Sequence, residues 1–430
     1  MKKLYTLVLA YSCLMFGNDT FSQTWTQKKD FADGLTEGAF SFTINDTIYV
    51  GGAGDTKFFK YDAGADKWTQ MNTTPGVSLA REYAIAFAID GKGYMALGND
   101  SLTFKKDLWE YDPGTNAWTQ KADFPGGVRA FAGCFVINNK AYVGGGYDTG
   151  IADPSKPAIN DFWEYDPSLD KWAQKKNLPF DSANYYFPMS FNVGGKGYFV
   201  SGEFDTIEQI SVTGPDTSYT YPSFVEIFPQ YTFGYDPTTD TWKRYADFPG
   251  DGRSGGTAFV IDNKAYCGMG ELNGDVNYND LYIYDPAADK WSSLGASPMP
   301  ARAYLLSASL SNGKAYLGTG INTTSNTYYK DWWELSMPTS TPEISSIIDE
   351  IVCYPNPATD NIYVRFPGNV SCQNCSYTLY NVLGRKVMSA TGNLNSSANI
   401  NIAGLPEGQY ELKISSNERL YKTMISIIAH

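Results

Sequence analysis

Apolar and polar residues alternate along most of the chain in short runs, and the runs come in sets of four. One set lies between Arg129 and Pro179. It opens with Ala130 to Ile137 and turns at Asn138-Asn139. It resumes in Lys140-Ala-Tyr-Val-Gly-Gly-Gly146 and again in Asp161-Phe-Trp-Glu-Tyr-Asp-Pro167. A fourth run goes from Lys171-Trp172 to Leu178-Pro179. Alternation at a period of two, broken by Gly, Asn and Asp, predicts four short antiparallel strands. No long segment keeps its apolar residues at helical spacing, so an all-β chain is expected.

The second run recurs six times: Ile48-Tyr-Val-Gly-Gly52, Gly93-Tyr-Met-Ala-Leu-Gly98, Ala141-Tyr-Val-Gly-Gly145, Gly197-Tyr-Phe-Val-Ser-Gly202, Ala265-Tyr-Cys-Gly-Met-Gly270 and Ala315-Tyr-Leu-Gly-Thr-Gly320. The third run carries a Tyr followed by a Trp in five copies, Tyr61/Trp68, Tyr111/Trp118, Tyr165/Trp172, Tyr235/Trp242 and Tyr284/Trp291. Four strands repeating at about 50 residues predict a propeller of six blades. A lone four-stranded blade cannot bury both faces, so blades stack on one another. The glycines let crowded backbones approach, and the Tyr and Trp are expected to fill the space between blades.

The ends of the repeat region suggest how the ring shuts. Trp25-Thr-Gln-Lys-Lys-Asp-Phe31 reads as a fourth strand lacking the first three. Asp331-Trp-Trp-Glu-Leu335 reads as a third strand lacking a fourth. The N-terminal strand should therefore complete the sixth blade and leave no open sheet edge. Over residues 24–338 these motifs resemble the Kelch family. Ala96-Leu97-Gly98 and Ser201-Gly202 are local departures from its paired glycines.

A second pattern follows a Pro- and Thr-containing linker at 339–350. Tyr354-Pro-Asn-Pro-Ala358, Tyr380-Asn-Val-Leu-Gly384 and Leu405-Pro-Glu-Gly-Gln-Tyr410 punctuate short alternating strands up to an apolar last one. Residues 351–430 are expected to form a small Ig-like β-sandwich. They resemble the C-terminal sorting domain of type IX secretion cargo. The resemblance implies handling by that machinery, and a secreted or cell-surface protein exported across the outer membrane. At the other end, Lys2 and Lys3 precede the apolar run Leu4 to Phe16, which is too short to span a bilayer. Residues 1–23 read as a signal peptide. Cys13 suggests a lipoprotein anchor, but Tyr11 fits a lipobox poorly. No other segment is long and apolar enough to span a membrane.

Composition narrows the chemistry. The net charge of −13 opposes phosphate backbones, so nucleic acid is not an expected partner. The single histidine is His430, which removes Ser-His-Asp triads, Cys-His pairs and His-ligated metals from the propeller. That also removes the activity of galactose oxidase, a copper-dependent Kelch relative. No cofactor or metal is expected. Cys134 and Cys267 sit in strand patterns as buried thiols, and Cys372-x-x-Cys375 suggests a local disulfide.

Two features suggest where a ligand would bind. Counting 13 residues back from the second-strand Tyr, or 14 in the sixth blade, reaches Thr36, Arg81, Arg129, Tyr185, Arg253 and Arg302. Four arginines are thus expected around the channel mouth, either as forks for anions or as structural partners of backbone and acids. Glu37 and Glu82 lie nearest, as acid–base partners of an arginine or in plain salt bridges. Tyr185 and Tyr186 add aromatic character. The fourth blade also has a long insertion between Gly202 and Tyr235, with Tyr219, Tyr221, Phe224, Phe228 and Tyr231. Long loops bearing aromatics often bind something. The sequence thus suggests a non-catalytic module for a glycan or an extracellular protein. The alternative is a sugar mutarotase or epimerase, since Kelch propellers include sialic-acid mutarotases.

Overall fold

The computed structural model describes residues 23–32, 37–71, 80–100, 103–148, 159–180, 184–213, 218–337, 349–365, 372–381, 386–394, 398–415 and 420–428. The expected signal peptide, Thr36 and most of the linker lie outside them. Among the described residues there is no helix, and none long and apolar enough to cross a membrane. The chain divides into two compact units, Met1–Pro338 and Thr339–His430.

The first unit holds six four-stranded antiparallel sheets. Their innermost strands are Ala39–Ile44, Ile85–Ile89, Gly133–Ile137, Met189–Val193, Thr257–Ile261 and Leu306–Ser309. Each contacts the next, and Leu306–Ser309 returns to Ala39–Ile44, which makes the sheets a closed ring. Thr24–Lys28 is the outer strand of the sixth sheet and runs antiparallel to Trp332–Ser336, from Thr24 opposite Ser336 to Lys28 opposite Trp332. The N-terminal strand closes the propeller as its sequence suggests.

Tyr, Asp and Trp at the outer hairpin turns latch neighbouring blades. Tyr165 donates to Asp170 at 2.8 Å, and Asp170 accepts the Ala122 N–H of the preceding blade at 3.0 Å. The Trp172 indole donates to the Ala122 carbonyl at 2.9 Å. The same arrangement joins Tyr61, Asp66 and Trp68 to Lys29, and so ties the closing strand to the first blade. Backbone groups at the blade rims thereby find partners in the next blade. Glycine works on the inner side. A Cβ on Gly93 would lie 2.1 Å from the Phe42 ring, and one on Gly197 would lie 2.0 Å from that of Phe135. Each glycine leaves room for the Phe of the preceding blade.

The insertion in the fourth blade is not an irregular loop. Glu203–Thr213 and Ser218–Ile227 pair as a long hairpin, and Asn184–Tyr186 joins it as a third strand. Tyr219, Tyr221 and Phe224 belong to its second strand, but their side chains lie outside the described residues.

The second unit is a β-sandwich. A five-stranded sheet places Leu420–Ile427 between Asp349–Glu350 and Gly408–Ser415, followed by Cys372–Asn381 and Lys386–Leu394. A three-stranded sheet holds Val352–Tyr354, Asn361–Arg365 and Ala398–Asn401. Ile362, Val364, Leu379, Ile400, Leu412 and Ile425 are fully buried between them. Asn356 of the Tyr-Pro-Asn-Pro-Ala motif acts as a substitute strand. Its side chain donates to the Met424 carbonyl at 3.0 Å and accepts the Ser426 N–H at 2.8 Å. Cys375 is disulfide-bonded, while Cys134, Cys267 and Cys353 are free.

Candidate ligand-binding site

The arginines point into the blades. Arg81, Arg129, Arg253 and Arg302 are 0%, 3%, 1% and 0% exposed. Each grips one aspartate with both terminal nitrogens: Arg81 holds Asp107 at 2.7 and 2.9 Å, and Arg302 holds Asp331 at 2.5 and 3.0 Å. Arg129 and Arg253 hold Asp161 and Asp280 in the same way. Nη1 of each also donates to a second-strand carbonyl, that of Leu97, Gly145, Met269 or Thr319. Arg253 is further held by ring faces, 5.1 Å from Phe248 and 3.9 Å from Tyr278.

The aspartate stands at the start of the third strand or immediately before it, and it occurs where the arginine does. In the fourth blade the equivalent positions are Tyr185 and Tyr231, and in the first they are Thr36 and Lys57. Tyr185 is 2% exposed and donates to the Ser201 carbonyl at 2.6 Å, the place taken by an arginine nitrogen elsewhere. Carboxylates and carbonyls of the fold thus occupy the terminal guanidinium nitrogens, while Nε of Arg81 and Nε of Arg129 are buried without a hydrogen-bond partner. Tyr185 is likewise turned into the fold. The expected pairing of an arginine with Glu37 or Glu82 is replaced by pairing with aspartate. Tyr186 is also buried, and its hydroxyl donates to Glu203 at 2.7 Å.

The mouth is built from residues two places after each arginine position. These are Gly38, Tyr83, Phe131, Phe187, Gly255 and Tyr304, and all six have φ between 54° and 68°. Bulky residues seldom adopt this left-handed conformation. Here backbone bonds between blades hold it. Tyr83 N donates to Gly38 O at 2.8 Å, Phe131 N to Tyr83 O at 3.2 Å, Phe187 N to Phe131 O at 2.9 Å, and Tyr304 N to Gly255 O at 2.8 Å. The four rings meet across the axis. Centroids are 4.5 Å apart for Tyr83 and Phe131, 4.3 Å for Phe131 and Phe187, 5.0 Å for Phe187 and Tyr304, and 5.5 Å for Tyr304 and Tyr83. The two glycines make room: a Cβ on Gly255 would lie 2.5 Å from the Tyr304 ring.

These half-buried rings form an aromatic floor and, with the residue that follows each mouth position, line a cavity of about 200 Å³ whose lining holds no carboxylate. Phe131 continues outward to Tyr147 and Phe104, with centroids 6.1 and 6.0 Å apart along that path. Carboxylates border the floor. Glu37 accepts the Tyr83 hydroxyl. Buried Glu271 accepts Ser254 at 2.8 Å and Tyr304 at 3.1 Å. Burial, then the charge of neighbouring Glu37, pushes the Glu82 carboxyl above its usual value. Burial and these carboxylates also raise the Tyr83 and Tyr304 phenols, so both remain neutral hydrogen-bonding groups. Beneath the floor the channel widens to about 320 Å³, lined by three first-strand residues from each blade, among them Ser41, Ser190 and Ser307. Phe228 and Tyr231 lie away from the floor in a separate cleft with Asp251 and Leu272. Among the described residues, no group of three or more His, Cys, Asp or Glu is placed to hold a metal ion.

Comparison with known proteins agrees with this architecture. Residues 129–179 match the Kelch motif, and residues 352–428 match the secretion system C-terminal sorting domain. An F-box/kelch-repeat protein of Arabidopsis thaliana is 27% identical over 209 residues, which are 47% of this chain and 42% of that protein. The N-acetylneuraminate epimerase of Pasteurella multocida is 27% identical over 224 residues, 48% of this chain and 58% of that one. Its namesake in Escherichia coli O139:H28 is 26% identical over 267 residues, 60% of each chain. The chain thus spans 42–60% of the length of these relatives. The solved structure of YjhT shares the fold, with a TM-score of 0.57 at 21% identity, covering 72% of this chain and 97% of that one. The protein is a Kelch-type β-propeller. It carries a type IX sorting domain, which marks it for export to the cell surface or beyond.

Proposed function

We propose that the propeller is an exported, non-catalytic carbohydrate-binding module, with the ligand seated on the floor of Tyr83, Phe131, Phe187 and Tyr304. The carrying observation is that floor, a continuous aromatic surface bordered by hydrogen-bonding carboxylates. Ring faces pack against the C–H side of a sugar, and carboxylates accept its hydroxyls. At about 200 Å³ the cavity is smaller than the ~300–1,000 Å³ of pockets that enclose whole drug-sized ligands. It suits one unit of a longer chain.

The test is a glycan array probed with the full chain, followed by calorimetry on the hits. Phe187→Leu keeps the apolar volume and removes one ring face, so it should weaken a hit roughly tenfold. An array without hits, alongside a protein captured from cell-surface extracts, would replace the sugar by a protein partner.

A second reading, a sugar mutarotase or epimerase, is favoured by the names of two relatives and by Glu82. A carboxyl with a raised proton affinity beside a sugar can shuttle a proton. NMR of anomer interconversion decides it: acceleration by the wild type, lost in Glu82→Gln, would make the protein an enzyme.

A further inference from the structure

We infer that the mouth sorts sugars by charge, taking units that carry a free amine, such as 2-amino-2-deoxyhexoses, and turning away units that carry a carboxylate. This rests on the reading that the mouth binds a glycan. The first support is the fate of the four guanidinium groups. A guanidinium fork is the best match for an acidic sugar, and each of these forks is closed on an aspartate of its own blade. A ligand carboxylate would have to replace a bond already made and leave a partly buried aspartate without its partner.

The second support is what borders the floor. Glu37, which accepts the Tyr83 hydroxyl, repels the neighbouring Glu82, and burial with that repulsion raises the Glu82 carboxyl. An ammonium beside the pair relieves the repulsion, and a carboxylate adds a third like charge. On the opposite side Glu271 and Glu203 lie behind Tyr304 and Tyr186, and they add to the negative potential. The third support is the rings themselves, whose faces attract an ammonium electrostatically and offer no such attraction to a neutral acetamide. The net charge of −13 acts in the same direction at longer range. The N-acetylneuraminate in two relatives' names is an acidic sugar, so this chain would differ from them in ligand charge.

The experiment uses the full chain and three oligosaccharides: a glucosamine tetramer, its fully N-acetylated counterpart, and sialyllactose. Calorimetry at low salt should show the amine tetramer bound about tenfold more tightly than the acetylated one, and no binding of sialyllactose. Glu37→Gln with Glu82→Gln should weaken the amine tetramer more than the acetylated one and so bring the ratio of the two affinities to about one. An unchanged melting temperature separates lost charge from lost fold. Equal affinity for amine and acetylated tetramers, or tightest binding of sialyllactose, overturns the charge inference and leaves the glycan reading standing. A lysine-rich peptide that binds more tightly than any sugar overturns it in favour of a protein partner. Silence toward all three sugars removes the glycan reading itself.

Discussion

Removing one aspartate tests whether the arginines hold the blades or serve a ligand. In Asp280→Ala, Arg253 stays in place, 1% exposed, and loses contacts at 2.5 and 3.2 Å. It keeps the carbonyls of Met269 and Asp251 and the ring faces of Phe248 and Tyr278. Breaking a buried pair from one side costs about 3–5 kcal/mol. Asp280 itself is 29% exposed, so water reaches the vacated site and the low end, about 3 kcal/mol, applies. For a unit of this size that is a fall in melting temperature of roughly 4–5 °C. Differential scanning fluorimetry reads the shift, and calorimetry on any glycan hit reads the site. The expected outcome is a destabilised protein that still binds with wild-type affinity below its transition. An unchanged melting temperature together with lost binding would refute the structural role and return the arginines to the ligand.

Further outcomes follow from other contacts. Burial raises the Glu334 carboxyl, but hydrogen bonds from Lys314 and Tyr316 and the charge of Lys28 outweigh it and hold the group at about 2, against an ordinary 4.5. Its folded value is depressed, so its contribution is complete above pH 4.5 and fades as pH falls toward 2. The stability gap between wild type and Glu334→Gln, followed by urea denaturation, should close across that window. Gly197→Ala would drive a methyl into Phe135 and should lower the urea midpoint by an amount equivalent to about 1–3 kcal/mol. In the sorting domain, Asn356→Ala removes both bonds to the last strand and should speed hydrogen exchange at the Ser426 amide, at a cost of about 1 kcal/mol.

The blades were legible because their markers do the packing. Gly93 and Gly197 recur where a neighbouring Phe needs room, and Tyr165 and Trp172 recur where blades latch. The arginines were legible as a set but not in direction. The deciding signal lay elsewhere in each repeat, in the aspartate that opens or precedes the third strand with the arginine and is replaced by Lys57 or Tyr231 without it. The aromatic floor was missed because alternation assigns a side chain to a face only while the backbone stays extended. Tyr83, Phe131, Phe187 and Tyr304 are left-handed, which turns their rings out of the strand pattern and over the channel. The insertion read as a loop because its length interrupts the repeat, although the Gly214-Pro215-Asp216 sequence between two alternating runs is a turn signal. Its pairing, from Phe204 with Ile227 to Thr213 with Ser218, makes it a hairpin.

The closing strand gives this architecture a direction in time. Trp25 pairs with Leu335, and Phe31 N–H reaches the Lys330 carbonyl. Almost the whole propeller lies between these partners in sequence. Five blades can be assembled from neighbouring segments as the chain emerges, but the sixth waits for the earliest residues to meet nearly the last ones. Contacts of such separation form late and slowly. The mouth needs the Tyr304 ring of the last blade against the Tyr83 ring of the second, so it takes its final shape only when that seam shuts. A chain caught before this step would hold five finished blades around an unfinished mouth.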